Sequence, residues 1–387
     1  MNLRVLLPIL ALAATAACSD GGDPAGKTAA ESTTTSAGGA APGSTETGPA
    51  GTGATEATGP ASSTTVPGAA GAPTTTTGPP TTSNERVAAS GVFVTGEKGA
   101  AMAAQPGGPV TGRFQAGVAM AVDATQGGWA HVLTPCENRL WVRTADGHIT
   151  KTADIVLDPG HGGPEPGAVG PGGLTERELN LAVARMTVDA LAAEGVVAVL
   201  ARTGDYRQSL PSRVAVATAL EPKAFVSLHH NAAPDESRPG PGSETYYQTG
   251  KSVPPAKAAE SKRLAGLIYE EVVKAMSAFQ ADWVADRDAG AKYRLGDSGD
   301  DYYGILRRSA TGGVVATLVE LAFISNPSEE ALLKREDVRR AEAGAVARGI
   351  IRWLRTPDPG SGFVVPYPRT EPAGGGGGTT GCTDPMM

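Results

Sequence analysis

IVLDPGHGGPEPGAVGPGGLTERELN, residues 155–180, is the stretch that decides how this chain folds. It opens on an apolar run, passes through a loop crowded with Gly and Pro, and closes on a helical signal. A strand is expected over Asp154–Leu157. Thr175 is a residue type that caps helices, and Glu178 stands three positions on, the spacing of a capping box. Beyond it Leu179, Ala182, Val183, Met186, Ala190 and Leu191 recur at helical spacing. A strand feeding a helix through a glycine-rich loop is the repeating unit of an α/β fold.

The same alternation continues downstream. Val196–Leu200, Phe225–Leu228, Ser243–Gln248 and Val314–Val319 read as strands, while Ala256–Met276 and Ala341–Leu354 read as helices. Asn326-Pro327-Ser328-Glu329 reads as the opening of another helix. Residues 153–356 are therefore expected to form an α/β domain with a central, mostly parallel sheet flanked by helices.

The flanks differ in composition. Residues 86–150 alternate short apolar runs with Gly-rich turns, among them GVFVTG, GVAMAV, GGWAHVL and RLWVRT. They predict four or five short strands in a small antiparallel barrel or sandwich. Gly128-Trp129-Ala130 and Leu140-Trp141-Val142 resemble a bacterial SH3-like module. Such a module could bind cell wall, or it could be a structural cap with both tryptophans in its core. Residues 357–387 return to Pro and Gly, with five glycines from Gly374 to Gly378, and read as a flexible tail.

The N-terminus reads as a targeting segment, 1–17, with a short basic start and an apolar run over Val5–Ala14. Small residues then precede Cys18 and resemble a bacterial lipobox, which implies a lipidated Cys18 and a membrane anchor. The alternative is an ordinary signal peptide cleaved after Ala17. Residues 18–85 are mostly Gly, Ala, Thr, Ser and Pro and cannot bury enough apolar surface to offset their ordering entropy. As a random-coil tether they would span on the order of 45 Å. Export would permit a disulfide between Cys136 and Cys382, although two separate thiols fit the sequence equally. A net charge of −7 excludes the basic footprint of a nucleic-acid binder.

Chemistry-bearing residues cluster at strand ends. Asp158-Pro159-Gly160-His161 follows the first strand of the α/β domain, His229-His230-Asn231 follows Phe225–Leu228, and Glu320 follows Val319. In a parallel sheet these ends share one edge, where ligands bind. Two imidazoles and a carboxylate suit a catalytic zinc, which keeps three protein ligands and one open position. His161, Glu176 and His229 would supply that set, leaving Glu320 to take a proton from water and pass it to the leaving amine. Taken singly each has a plain alternative: a loop histidine, a charge at a helix N-terminus, an ion-pair partner. Strand alternation puts His230 on the face opposite His229.

Four segments together resemble the amidase_3 family of N-acetylmuramoyl-L-alanine amidases. They are residues 155–180, FVSLHHNA at 225–232, ATLVELAFISNPSEEALL at 316–333, and Leu200-Ala201-Arg202-Thr203 with Asp205 and Arg213. The resemblance implies a zinc-peptidase-like fold, a Zn²⁺ cofactor, and metal ligands His161, Glu176 and His229 with Glu320 as the catalytic residue. It implies peptidoglycan as substrate, cut at the amide joining the lactyl group of N-acetylmuramic acid to L-alanine. Arg202 and Asn231 are candidates for substrate contact, with structural ion pairing as the alternative for the arginines. Some relatives carry a helix that plugs the site. The short Pro/Gly-rich stretch Ala232–Ser252 carries no such signal, so no activator is expected, and Asp282–Asp301 could form a lid. A zinc peptidase acting on stem peptides would commonly place His and Glu three apart, whereas His161 and Glu176 are fifteen apart. A non-catalytic wall-binding regulator would be marked by a missing ligand, and none is missing.

Overall fold

The computed structural model describes residues 85–233, 242–283, 290–360, 379 and 381–387. The targeting segment, Cys18 and nearly all of the tether lie outside the described residues, as do parts of the 232–252 stretch, of the 282–301 segment and of the tail.

The N-terminal module contains seven strands rather than four or five: β1 (Val87–Thr95), β2 (Ala100–Ala103), β3 (Gly112–Phe114), β4 (Ala119–Gln126), β5 (Trp129–Leu133), β6 (Arg139–Arg143) and β7 (Gly147–Thr150). They form one antiparallel sheet in the order β3-β2-β6-β5-β4-β1-β7. Strands as short as three residues carry too little alternation to be counted from sequence. Trp129 and Trp141 are buried in a small cluster with Ala103 and Ala124. Arg143 and Arg86 lie over the two indole rings, 5.5 and 5.6 Å from their centroids.

The α/β domain runs β8 (Ile155–Pro159), α1 (Glu176–Ala193), β9 (Ala198–Leu200), α2 (Leu210–Leu220), β10 (Ala224–Asn231), β11 (Glu244–Tyr247), α3 (Pro255–Met276), β12 (Gly290–Lys292), α4 (Gly304–Thr311), β13 (Ala316–Phe323), α5 (Pro327–Leu333) and α6 (Glu336–Arg355). Its sheet has the order β12-β11-β13-β10-β8-β9. The β8/β9, β8/β10, β10/β13 and β11/β12 pairs are parallel, and β11/β13 is antiparallel. The sheet is therefore mixed.

Both faces of this sheet are covered, so its strands read as apolar runs rather than alternating ones. Ile155, Leu157, Val226, Leu228, Val319 and Leu321 pack on one face against α1, α3 and α6. Val156, Phe225 and Leu318 pack on the other against α2, α4 and the inner residues Val92 and Ala119 of the first sheet. Helix α2 was not expected. Its sequence LPSRVAVATAL is apolar nearly all round because it lies between the two sheets, and so it lacks the one-sided pattern that marks a surface helix. Ser209 caps it by accepting from the Ser212 N–H at 3.2 Å.

Two further expectations are corrected. β10 and β13 extend past Leu228 and Val319, so His229, His230 and Glu320 lie within strands, not beyond their ends. The last residues are also not a free tail. Cys382 is disulfide-bonded to Cys136, with Cα atoms 5.6 Å apart. Met386 bridges Phe114, the Gln115 N–H donates to Pro385 O at 2.9 Å, and Asp384 accepts from the Cys136 N–H at 3.0 Å.

Candidate metal centre

Three segments deliver the predicted ligands to one place. β8 ends at Pro159, and the loop beyond it carries His161 in a left-handed conformation, φ 60°. That loop then turns back to begin α1. Thr175 occupies the N-cap position, but its hydroxyl makes no hydrogen bond among the described residues and Glu178 is exposed, so the expected capping box does not form. Loop carbonyls take its place: the Glu176 N–H donates to Ala168 O and the Arg177 N–H to Pro166 O, at 2.9 and 3.0 Å. The first helical residue, Glu176, is thereby tied to the His161 loop.

His161 Nε2 lies 3.1 Å from Glu176 Oε2, and His229 Nδ1 lies 2.8 Å from Glu176 Oε1. The two imidazoles meet edge to face with centroids 5.1 Å apart. One ligating atom from each of His161, Glu176 and His229 lies within 4.8 Å of the others. Glu176 is 2 % and His229 3 % exposed, while His161 reaches the surface. Two imidazoles and a buried carboxylate converging this closely make a donor set that fits Zn²⁺. Burial by itself pushes the Glu176 carboxyl up. The charge and hydrogen bond of His161, then those of His229, outweigh it and hold the carboxyl well below the usual carboxylate range.

Glycines make room for this packing. A Cβ on Gly167, at φ +70°, would lie 2.4 Å from Glu176 Oε2 and 2.7 Å from the His161 ring.

Sheet register places a fourth group alongside. His229 pairs with Glu320, and Glu320 pairs with Glu244, so one row of the sheet carries all three side chains on one face. Glu320 is 8 % exposed. It lies close enough to Tyr303 that its charge adds to burial in pushing that phenol's pKa up. Glu244 is fully buried. Its Oε1 accepts from Lys292 Nζ at 2.7 Å, and its Oε2 accepts from the Tyr246 hydroxyl at 2.7 Å and from Asn231 Nδ2 at 3.0 Å.

The structure places the two candidates for substrate contact differently. Arg202 is 0 % exposed and donates to the carbonyls of Pro159, Gly160, Arg177 and Gly204. Burial, and then Arg213, pulls its pKa down to about 10. It braces the His161 loop from inside and presents no donor to solvent, which corrects the expectation that it meets substrate. Arg213 does related work, donating to Asp158 at 2.6 Å, Pro159 O at 2.7 Å and His161 O at 2.6 Å, while the Ser227 hydroxyl donates to the other Asp158 oxygen. Asn231 is half-buried and engaged with Glu244.

Two groups near the site were missed in sequence. Glu244 stood inside an expected strand, where an acid looks like an outward-facing residue. Asn180 closed the first quoted stretch but offered no chemical signal of its own; it donates to Glu176 Oε1 and to Gly160 O, both at 3.3 Å.

Known proteins are similar to this chain over its α/β domain. Residues 155–352 match a family model described as N-acetylmuramoyl-L-alanine amidase, Amidase_3. The chain is 36% identical over 201 residues to N-acetylmuramoyl-L-alanine amidase LytC of Bacillus subtilis, covering 52% of this chain and 35% of LytC. It is 33% identical over 223 residues to the uncharacterized protein YqiI of the same organism, covering 58% of this chain and 92% of YqiI. Among solved structures, N-acetylmuramoyl-L-alanine amidase AmiC2 of Nostoc punctiforme is 28% identical with a TM-score of 0.40, covering 52% of this chain and 96% of that one. The chain thus spans about a third of LytC but nearly all of YqiI. The matched segment, just over half of the chain, holds His161, Glu176, His229 and Glu320, and the chain belongs to the Amidase_3 family.

Proposed function

We propose that this chain is a zinc-dependent amidase that hydrolyses the bond between N-acetylmuramic acid and L-alanine in peptidoglycan. The observation that carries the reading is the convergence of His161, Glu176 and His229, with Glu320 in register beside His229. These three residues would hold the ion. Zinc supplies a Lewis acid for the amide carbonyl and lowers the pKa of water to about 7.

The chain's own residues do the rest. Glu320 accepts the proton of the attacking water at its carboxylate and returns it to the nitrogen of L-alanine as the C–N bond breaks, leaving a lactyl carboxylate and a free amine. Arg202 and Arg213 keep the His161 loop in place through its carbonyls. Export and a lipid at Cys18 would hold the enzyme at the outer face of the cell membrane, with residues 18–85 as its tether.

Mass spectrometry of digested peptidoglycan tests the reaction. Stem peptides with a free L-alanine amine, and glycans with a free lactyl group, are expected. Cleavage only within the stem peptide, or binding without cleavage, would overturn the reading. EDTA should inhibit and added zinc should restore activity. Anchoring is tested by Cys18→Ala, which should move the protein from the membrane fraction to the soluble one.

A further inference from the structure

His230 and Glu342 form a buried polar pair that the proposed reaction does not use. Strand alternation turns His230 away from His229 and into the apolar face packed by α1, α3 and α6. Both side chains are 0 % exposed, and His230 Nε2 lies 3.6 Å from Glu342 Oε2. Neither Glu342 oxygen has a hydrogen-bond partner among the described residues. Burying an imidazole and a carboxylate is costly, and apolar residues of similar volume often serve stability as well or better. The pair's position points to a role other than stability.

That position is one residue removed from the metal centre. His230 Nδ1 lies 2.8 Å from Asn180 Oδ1, and the Asn180 Nδ2 donates to Glu176 Oε1 at 3.3 Å. The His230 backbone N–H donates to the same Glu176 oxygen at 3.2 Å. Asn180 is itself fully buried. An Asn amide offers an acceptor on one arm and a donor on the other. Turning it over would face its oxygen to the Glu176 carboxylate and, in the tautomer that carries the proton on His230 Nδ1, its NH₂ to that N–H, two repulsive contacts. The Asn180 NH₂ faces two acceptors, Glu176 Oε1 and Gly160 O, so His230 adds a further tie on the oxygen arm of an amide oriented to support Glu176, and Glu342, on α6, faces the far side of the His230 ring at 3.6 Å.

We propose that Glu342, His230 and Asn180 are positioning residues: a buried relay from the last helix, through the sheet, that fixes the Glu176 carboxylate for metal binding. The proposal rests on the ligand assignment above. Outer partners of this kind typically contribute 10–100-fold in metal affinity.

The test is zinc affinity of the purified protein, measured by competition with a chromogenic chelator, together with the melting temperature with and without zinc. His161→Ala should abolish tight binding in the wild-type background; if it does not, the ligand assignment fails, not the relay. Given that control, His230→Leu and Asn180→Ala should each weaken zinc binding roughly 10–100-fold in protein that remains folded. His230→Asn, which keeps a donor at the Nδ1 position, should recover most of the loss, and Glu342→Gln should have a smaller effect in the same direction. A purely structural role would lower the metal-free melting temperature and leave zinc affinity as in wild type. That result for folded His230→Leu or, should it not fold, for folded Asn180→Ala would overturn the proposal.

Discussion

Gly160 leaves the space that the His229 ring occupies: a Cβ at position 160 would lie 2.1 Å from Cε1 and 2.4 Å from Nε2 of that imidazole. No real Cβ comes so close, and His229 sits in a central strand with little freedom to retreat. Gly160→Ala is therefore expected to displace the imidazole and lower zinc affinity at least about tenfold, a change comparable to losing an outer-sphere partner. Zinc titration of the folded variant checks this, and unaltered affinity would show that the ring can move.

Glu320 takes part in the proposed chemistry without belonging to the ligand set. Glu320→Gln should retain stoichiometric zinc while losing about 10²–10⁴-fold in turnover, the usual contribution of a positioned acid–base group. Metal analysis alongside release of stem peptides separates the two effects. A variant as active as wild type would remove Glu320 from the reaction.

Arg202 spreads its guanidinium over four backbone carbonyls of the His161 loop and its neighbours. Lysine keeps the charge but has no planar fork, so Arg202→Lys leaves several buried acceptors unsatisfied. The expected loss is on the order of 2–3 kcal/mol of stability. Denaturant unfolding measures it, and kinetics should show a fall in kcat with KM little altered, because the side chain does not face substrate.

Glu271 on α3 accepts from Arg348 and Arg352 on α6, each at 2.9 Å. Burial alone pushes its carboxyl up, yet these two hydrogen bonds and charges hold it below the usual range. A depressed carboxylate contributes stability above its unfolded pKa, and that contribution is lost as pH falls through the folded value. Wild type should therefore lose more stability than Glu271→Gln between neutral pH and about pH 3. Melting curves across that window decide it; parallel curves would mean that the clamp is neutral.

Cys136 and Cys382 close a segment with a sequence separation of 246 residues. In the chain-entropy account so large a loop contributes roughly 5–6 kcal/mol. Thermal unfolding with and without reductant, compared with Cys136→Ser, should show a single shared destabilisation. Hydrogen exchange should rise at Gln115 and Met387, whose N–H groups bond across this contact.

The α/β domain was largely legible in its sequence because strands covered on both faces show as apolar runs, and helices α1, α3 and α6 keep one apolar side. The four polar positions stood out for the same reason. His161, Glu176, His229 and Glu320 interrupt segments that otherwise read as loop, cap or core. Helix α2 escaped because contact with both sheets removed its one-sided pattern. The C-terminal residues escaped because short Gly- and Pro-rich segments look alike whether they are loose or pinned.

What the sequence determined by itself was the set of side chains: local pattern, residue type and family likeness pick out two imidazoles and two carboxylates without reference to space. Only the tertiary structure decided which neighbours each one has. It turned Arg202 inward as a brace, set Glu244 beside Glu320, and joined His230 to Glu342 from a helix more than a hundred residues later. Those relations come from strand register and from helices crossing the sheet, where contact is made between residues far apart along the chain, and no local pattern encodes such a meeting.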